Sequence, residues 1–215
     1  WLGLVTAVPA SIARALIDDR LVEAHRINVF SGVPTLFGTL LEVPIAGCDV
    51  SSLDFAVCGA APMPVELFRR LEQATGIRIL EAYGLTESAC VATLNPIDGD
   101  RRIGSIGLPL PEQDARCVIL DDAGRYVRDA AIDEAGVVAL AGPNIFGGYR
   151  SELHNDGLWI DTPHGRFMNT GDLGRKDGYI ARQLKRWNTQ FEQARTREVP
   201  VVTEAHDRLA GAIPE

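Results

Sequence analysis

The sequence has few cysteines, few histidines and no long apolar run, and each shortage excludes a class of protein. Of 215 residues, four are cysteine and four are histidine. The cysteines (Cys48, Cys58, Cys90 and Cys117) form no CxxC pair. This argues against a zinc site or a secreted disulfide framework and favours reduced thiols in a cytoplasmic protein. No apolar run approaches the roughly 20 residues of a membrane-spanning helix, so no transmembrane segment is expected.

The charge balance is acidic. The net charge is −8 and the sequence pI is about 5.0, which argues against a broad basic face for nucleic acid. Apolar residues make up 46% and charged residues 23%, a composition typical of globular proteins. The chain opens at Trp1 without an initiator methionine, a basic segment or a cleavage site. This opening is not a signal peptide and reads like the interior of a longer protein.

Residues 1–98 alternate helical and extended patterns. Pro34 stands where a helix could begin. The apolar run 55–58 predicts a buried strand, Pro64 opens a helix that Gly76 ends, and 77–80 predicts the next strand. Strand, helix and strand at this spacing predict a βαβ unit in a parallel sheet, and hence an α/β fold.

The pattern changes after residue 98. Short extended runs at 115–120, 136–141 and 166–168 are separated by turn residues, which predicts a β-rich subdomain over 99–180. From residue 181 apolar residues recur at helical spacing among many charges, so 181–215 is expected to form a helical tail.

One octapeptide, Glu81-Ala82-Tyr83-Gly84-Leu85-Thr86-Glu87-Ser88, combines an aromatic ring, a glycine, a hydroxyl and a carboxylate directly after a predicted strand. Ligands usually bind at the carboxyl end of such a strand. The ring could cover a base, the hydroxyl could donate to a phosphate, and the carboxylate could hold Mg²⁺. An ordinary capped turn, with Thr86 as helix N-cap, explains the same residues. The octapeptide alone leaves both interpretations open.

Five segments resemble, in the expected order, motifs of the adenylate-forming superfamily of acyl-CoA synthetases, luciferases and peptide-synthetase adenylation domains. Residues 83–87 match its Tyr-Gly-x-Thr-Glu motif. The other segments resemble its Gly-Gly-Ala-Pro segment, its Gly-x-x-Gly-x-Pro-x-Pro turn, a strand followed by Gly-Tyr, and its Thr-Gly-Asp motif; they are 58–64, 104–111, 136–149 and 169–173. The resemblance covers about residues 1–180 and implies part of the N-terminal domain of such an enzyme, an α/β sheet unit with a β-rich subdomain.

The resemblance also implies roles for individual residues. Tyr83 would stack on adenine, with Gly84 beside it in the binding motif. Thr86 would contact the α-phosphate and Glu87 would bind Mg²⁺, and these two are the residues expected to act in catalysis. Asp172 would accept hydrogen bonds from the ribose hydroxyls, as charge-assisted bonds.

A second group of residues is implied to lie close to the ligand through its backbone. Gly59, Ala60 and Ala61 would approach the base or the acyl group, because short side chains keep little bulk between the backbone and a ligand.

The implied chemistry has two steps. A substrate carboxylate attacks the α-phosphate of ATP to give an acyl-adenylate and pyrophosphate, and coenzyme A then displaces AMP. Alignment and neutralised charge supply the catalysis in such transfers, so no nucleophilic side chain is needed. General likeness favours a fatty acid as substrate. An amino-acid adenylation domain, or a non-catalytic nucleotide-binding or chimeric fragment, remains as an alternative.

The chain departs from the family pattern in three places. The Ser/Thr/Gly-rich phosphate loop ending in lysine and the C-terminal domain with the adenylation lysine have no counterpart in the sequence. We therefore expect a fragment that cannot complete the reaction alone. In the third place, residues 181–215 resemble a helical segment of aminoglycoside-phosphotransferase-like kinases. A chimeric or misjoined reading frame would explain this tail, and a native interaction tail or packed helices are the alternatives.

Overall fold

The computed structural model describes residues 20–42 and 47–176, so the expected helical tail 181–215 lies outside the described residues. Contacts between residues divide the described part of the chain into two compact units, one of residues 20–42, 47–115 and 140–149 and the other of 116–139 and 150–176. In the described ranges the helices are α1 Leu21–His25, α2 Pro34–Leu40 and α3 Val65–Thr75, and short 3₁₀ turns cover Thr86–Ser88 and Glu152–His154. The strands are β1 Val29–Gly32, β2 Phe55–Cys58, β3 Arg78–Tyr83, β4 Thr93–Leu94, β5 Leu108–Pro109, β6 Asp114–Leu120, β7 Tyr126–Asp129, β8 Ala135–Ala141, β9 Trp159–Thr162 and β10 Gly165–Arg175.

The first sheet confirms the predicted α/β fold. Its strand order is β1-β2-β3-β4-β5, and β1, β2 and β3 run parallel. Strand β4 pairs antiparallel with β3, and β5 pairs antiparallel with β4, so β4 runs opposite to the first three strands while β5 runs in their direction. The helix α3 connects β2 to β3, which is the βαβ unit that the sequence predicts.

Proline and glycine mark the ends of the helices as predicted. Pro34 occupies the first turn of α2, where its missing N–H costs nothing. Helix α3 follows Pro64 and ends at Gly76, whose φ of 70° lies in the left-handed region that glycine adopts readily. Phe37 and Phe68 are fully buried side chains of α2 and α3 in the core of the first unit.

Arg101 fastens α3 to the sheet. Its guanidinium forms an ion pair with Glu72 of α3, in which Nη2 and Oε2 are 2.7 Å apart, and Nη1 donates to the carbonyl oxygen of Ile79 at 2.6 Å. The same guanidinium lies 5.2 Å from the centre of the Phe68 ring. Because the Arg101 guanidinium contacts both the Glu72 carboxylate and the Phe68 ring, it holds α3 in a defined position beside β3.

The second sheet has the strand order β7-β6-β8-β10-β9 and agrees with the predicted β-rich texture. Its strand β10 spans Gly165–Arg175 and is longer than the predicted run 166–168. The predicted strand ended where the apolar side chains end. In the structure β10 stays paired with its neighbours beyond that point, because the hydrogen bonds between strands join backbone groups and do not need apolar side chains. Thr170 strengthens this part, since its hydroxyl donates to the carbonyl oxygen of Val138 at 2.7 Å.

No helix within 20–42 and 47–176 combines the length and the apolar character that crossing a membrane would need.

Candidate functional site

Two of the predicted motifs lie side by side at the carboxyl ends of β2 and β3, which we call the carboxyl edge of the first sheet. Strands β2 and β3 are parallel neighbours, and Cys58 is paired in register with Glu81. The segments that follow these strands, 59–61 and 83–87, therefore leave the sheet side by side. A Cβ atom placed on Gly59 would lie 3.4 Å from the carbonyl oxygen of Ala82, which shows how closely the two backbones approach. The carboxyl edge of parallel strands is where ligands of α/β proteins bind.

The segment after β2 presents backbone with little side chain. The Gly59 N–H donates to the carbonyl oxygen of Gly32 at 3.2 Å, while Ala60 and Ala61 are exposed. Ala60 has a φ of 66°, a left-handed conformation that costs an L-residue roughly 1–2 kcal/mol. Strain of this kind collects at ligand sites because the surrounding structure holds it in place.

Gly84 is required by close packing of the backbone. A Cβ atom there would lie 2.0 Å from the carbonyl oxygen of Cys90 and 2.7 Å from the Cα of Val91. The half-buried Tyr83 is held next to it, since its carbonyl oxygen accepts a bond from Ala92 N–H at 2.9 Å. The packing explains this glycine without a ligand, and contact of Gly84 with a nucleotide stays a prediction.

The turn after Tyr83 is closed by Ser88. The Ser88 hydroxyl donates to the carbonyl oxygen of Leu85 and accepts from Leu85 N–H, both at 3.0 Å. Leu85 is the residue before the 3₁₀ turn, so Thr86 is not its N-cap. The assignment of Thr86 as N-cap is therefore wrong, while an ordinary turn, closed by Ser88, agrees with these bonds. Thr86 is an exposed residue in the segment that follows β3.

Glu87 is fastened to a distant segment of the same unit, residues 144–149. Phe146 N–H donates to the Glu87 carbonyl oxygen at 2.9 Å, and the Tyr149 hydroxyl donates to Glu87 Oε1 at 2.5 Å. Asn144 Nδ2 donates to the neighbouring carbonyl oxygen of Ser88 at 2.6 Å. The bond to the Glu87 carboxylate raises the pKa of Tyr149, because the phenol is held in its donating form.

Glu81 is a buried carboxylate just before Tyr83. The residue is 8% exposed, and its Oε2 accepts a bond from Gly104 N–H at 2.6 Å. Burial raises the pKa of Glu81, while the Gly104 N–H and the nearby Arg101 charge act in the opposite direction. Burial, followed by the Glu81 charge, also raises the pKa of Cys58 to about 12. At neutral pH this thiol is protonated, and Cys58 is therefore unsuited to act as a nucleophile.

The predicted Gly-x-x-Gly-x-Pro-x-Pro turn is bound to β3 and β4. Asn95 is buried, and its Nδ2 donates to the carbonyl oxygen of Ser105 at 2.5 Å while its Oδ1 accepts from Arg102 N–H at 2.9 Å. Thr93 Oγ1 donates to the carbonyl oxygen of Ile106 at 2.7 Å. The turn has a defined position beside the strand that carries Tyr83.

Asp172 lies in strand β10 of the second unit and is exposed. Its N–H donates to Thr170 Oγ1 at 3.1 Å, and the preceding Gly171 has a φ of 75° and donates to Asn169 Oδ1 at 3.0 Å. These bonds hold the Thr-Gly-Asp motif in one local conformation. The convergence of Asp172 with the Tyr83 segment on one ligand stays a prediction.

The donor set at the carboxyl edge suits a metal that arrives with a nucleotide. Within the part of the chain that the structure describes, no group of three or more His, Cys, Asp or Glu side chains could hold a metal ion. Mg²⁺ bound with phosphates needs only one or two protein carboxylates. Glu87, with the exposed residue Thr86 beside it, fits that requirement.

Sequence reasoning missed the residues that hold the site from a distance. Glu81, Asn95, Asn144 and Tyr149 received no role, although Tyr149 stands in the matched Gly-Tyr segment. A tyrosine after two glycines in a matched motif is a usable signal. The partner Glu87 is 62 residues away in the sequence, and only the folded chain brings the two together.

Comparison with known proteins identifies the family of the chain. Residues 3–150 match the family described as AMP-binding enzyme, and the chain belongs to that family. It is 40% identical over 171 residues to a marinolic acid–CoA ligase of Pseudoalteromonas sp. (strain SANK 73390), a match that covers 78% of this chain and 26% of that protein. It is also 32% identical over 171 residues to a long-chain-fatty-acid–CoA ligase of Bacillus subtilis (strain 168), covering 77% of this chain and 29% of the relative.

Solved structures show the same fold. ATP-bound MatB from Rhodopseudomonas palustris superposes with a TM-score of 0.66 at 30% identity, and the match covers 78% of this chain and 31% of MatB. This chain therefore spans less than a third of the length of the relatives named here.

Proposed function

We propose that this chain is the nucleotide-binding part of an ATP-dependent carboxylic acid–CoA ligase that acts through an acyl-adenylate. The observation that carries the proposal is the pairing of β2 with β3, because it brings 59–61 and 83–87 to one carboxyl edge. Family membership supports the same reading, and ATP, AMP and coenzyme A are the ligands that it implies. A fatty acid is the proposed acid substrate, in line with the B. subtilis relative.

Each residue at the carboxyl edge contacts a different part of the proposed ligand. Tyr83 offers a ring face to adenine, and the exposed backbone at Ala60 and Ala61 approaches the base or the acyl group. The Thr86 hydroxyl donates to the α-phosphate. Glu87 would hold Mg²⁺, which when bound neutralises negative charge on the phosphates. The protein's contribution is alignment of the substrate carboxylate with the α-phosphate, so no side chain has to form a covalent bond.

In the second unit, we propose that Asp172 binds the ribose of the nucleotide. Its carboxylate would accept bonds from both ribose hydroxyls, and the Thr170 and Asn169 side chains hold the backbone that carries it. Charge-assisted bonds of this kind are stronger than neutral ones, which makes the ribose a sensitive probe of the proposal.

Pyrophosphate exchange tests the function. The chain is joined to the upstream and downstream segments of a family member such as the B. subtilis enzyme, giving a completed ligase with a phosphate loop and a C-terminal lysine domain. Exchange that depends on fatty acids supports the proposal. Exchange with amino acids alone would assign the chain to amino-acid adenylation instead. A folded, completed protein without exchange would indicate a non-catalytic fragment. The 215-residue chain alone is expected to show no exchange, because its sequence holds neither added segment.

Substitution of Asp172 tests the site within the completed ligase. Asp172→Ala is expected to raise the KM for ATP at least about tenfold, because a bond to a charged group contributes roughly 1.5–3 kcal/mol. The exposed Asp161 of β9 supplies a matched control, and Asp161→Ala should leave that KM unchanged. An unaltered KM in the Asp172 variant would contradict the ribose role.

A further inference from the structure

The proposed metal-binding carboxylate already has a partner, the phenol of Tyr149. The Tyr149 hydroxyl donates to Glu87 Oε1 at 2.5 Å, across 62 residues of sequence. A carboxylate carries two oxygens and can accept several bonds at once. The phenol bond uses one acceptor position on Oε1, so the carboxylate keeps acceptor positions for a metal. The arrangement therefore leaves the carboxylate able to bind a metal while restricting the directions in which it can point.

The segment that carries Tyr149 is itself fixed against the 86–88 turn. Phe146 N–H donates to the Glu87 carbonyl oxygen, and Asn144 Nδ2 donates to the Ser88 carbonyl oxygen. The Phe146 and Tyr149 rings meet edge to face, with centres 4.9 Å apart and an interplanar angle of 78°, a favoured arrangement for aromatic pairs. The phenol is thus supported by backbone and ring contacts that do not involve its own hydroxyl.

We propose that Tyr149 is a positioning residue that aims the Glu87 carboxylate at the metal ion of the nucleotide. The proposal rests on the function proposed above, since it needs Glu87 to bind that metal. A glutamate loses rotational freedom when it binds a metal, and a partner that has already restricted it reduces that loss. Partners of metal ligands act in this way in many metal sites, where they orient the ligand without touching the metal.

The test removes the hydroxyl and keeps the ring. In the completed ligase, Tyr149→Phe is expected to weaken binding of Mn²⁺ in the presence of a non-hydrolysable ATP analogue by about tenfold. Tenfold is the low end of the range for such partners, chosen because Tyr149 is 39% exposed. Free Mn²⁺ is counted by electron paramagnetic resonance, so the readout does not depend on turnover. In exchange assays the Mg²⁺ concentration for half-maximal rate should rise, while the rate at saturating Mg²⁺ stays near that of the parent.

The chain offers a matched control. Tyr126, a residue of the second unit, also donates its hydroxyl to a carboxylate, Asp129 Oδ1, at 2.9 Å. Tyr126→Phe removes the same kind of bond and should leave Mn²⁺ binding unchanged. Equal weakening in both variants would show a general effect on the fold and would overturn the positioning role.

Glu87→Gln separates failure of this inference from failure of the proposed function. If Glu87→Gln weakens Mn²⁺ binding and Tyr149→Phe does not, the positioning role of Tyr149 is wrong and the function stands. If Mn²⁺ binding survives Glu87→Gln, Glu87 is not the metal ligand, and both the metal assignment and the inference fail. Tighter Mn²⁺ binding in Tyr149→Phe would also overturn the inference, because it would show that the phenol competes with the metal.

Discussion

Replacing Gly84 with alanine should destabilise the first unit severely, and the reason is geometric. The added Cβ would lie 2.0 Å from the Cys90 carbonyl oxygen and 2.7 Å from the Val91 Cα, and both obstacles are backbone atoms. A flexible side chain could rotate away, but here one backbone segment must move by about 1 Å or more, and overpacking of this kind costs about 1–3 kcal/mol. The movement also endangers the bond from Ala92 N–H to the Tyr83 carbonyl oxygen, worth about 1 kcal/mol.

The expected total loss is about 3 kcal/mol, which urea unfolding followed by far-ultraviolet circular dichroism can measure. With a slope of about 1–3 kcal/mol per molar urea, the midpoint should fall by about 1–3 M. Gly38→Ala is the matched control. Gly38 lies inside α2, its nearest neighbour to a new Cβ is a Leu67 methyl at 4.0 Å, and alanine there should stabilise by about 0.5–1 kcal/mol.

The two variants are predicted to move in opposite directions. A Gly84→Ala midpoint equal to that of the parent chain would refute the close-packing argument. The result also bears on function, because a loss of ATP binding in this variant would follow from disturbed packing and would not demonstrate a nucleotide contact at Gly84.

Two further predictions concern one buried and one exposed group. Asn95→Ala should lower the free energy of unfolding in urea by about 3 kcal/mol, because it removes the bonds that hold the turn 102–107 and leaves their partners unpaired. Asn28 is exposed, so Asn28→Ala should leave the free energy of unfolding nearly unchanged. Equal losses in the two variants would contradict this account. Bonds from Arg128 and a backbone N–H lower the pKa of Glu134 to about 2, from an ordinary value of 4.5. The stability that the Glu134 carboxylate adds to the folded chain is therefore present above about pH 4.5 and lost as the pH falls towards about 2. In thermal unfolding, the melting temperature of the parent should exceed that of Glu134→Gln above this window, and the difference should vanish across it. A difference that stays constant with pH would refute the lowered pKa of Glu134.

Proline and glycine residues at the helix ends made much of the first unit predictable. Pro34, Pro64 and Gly76 mark helix ends because their backbone preferences act on the chain directly, whatever it later packs against. The alternation of strand and helix then allows few topologies, and the parallel pairing of β2 with β3 is the expected one.

The sequence predicted less where polar residues continue a strand or where partners are far apart. Strand β10 extends through polar residues because backbone bonds to its neighbour maintain it, and apolar periodicity carries no sign of that. The roles of Ser88 in closing the 86–88 turn and of Tyr149 in holding Glu87 depend on side-chain directions that no local pattern encodes.

The sequence by itself determined the family, the parallel sheet unit and the segments 59–61 and 83–87 as candidates for one ligand edge, because short motifs and backbone preferences are written residue by residue. Only the tertiary structure decided that Gly84 is demanded by the Cys90 backbone and that the Glu87 carboxylate is held by Tyr149. Both are contacts in space between residues apart in the chain, and their distances exist only once the sheet has formed.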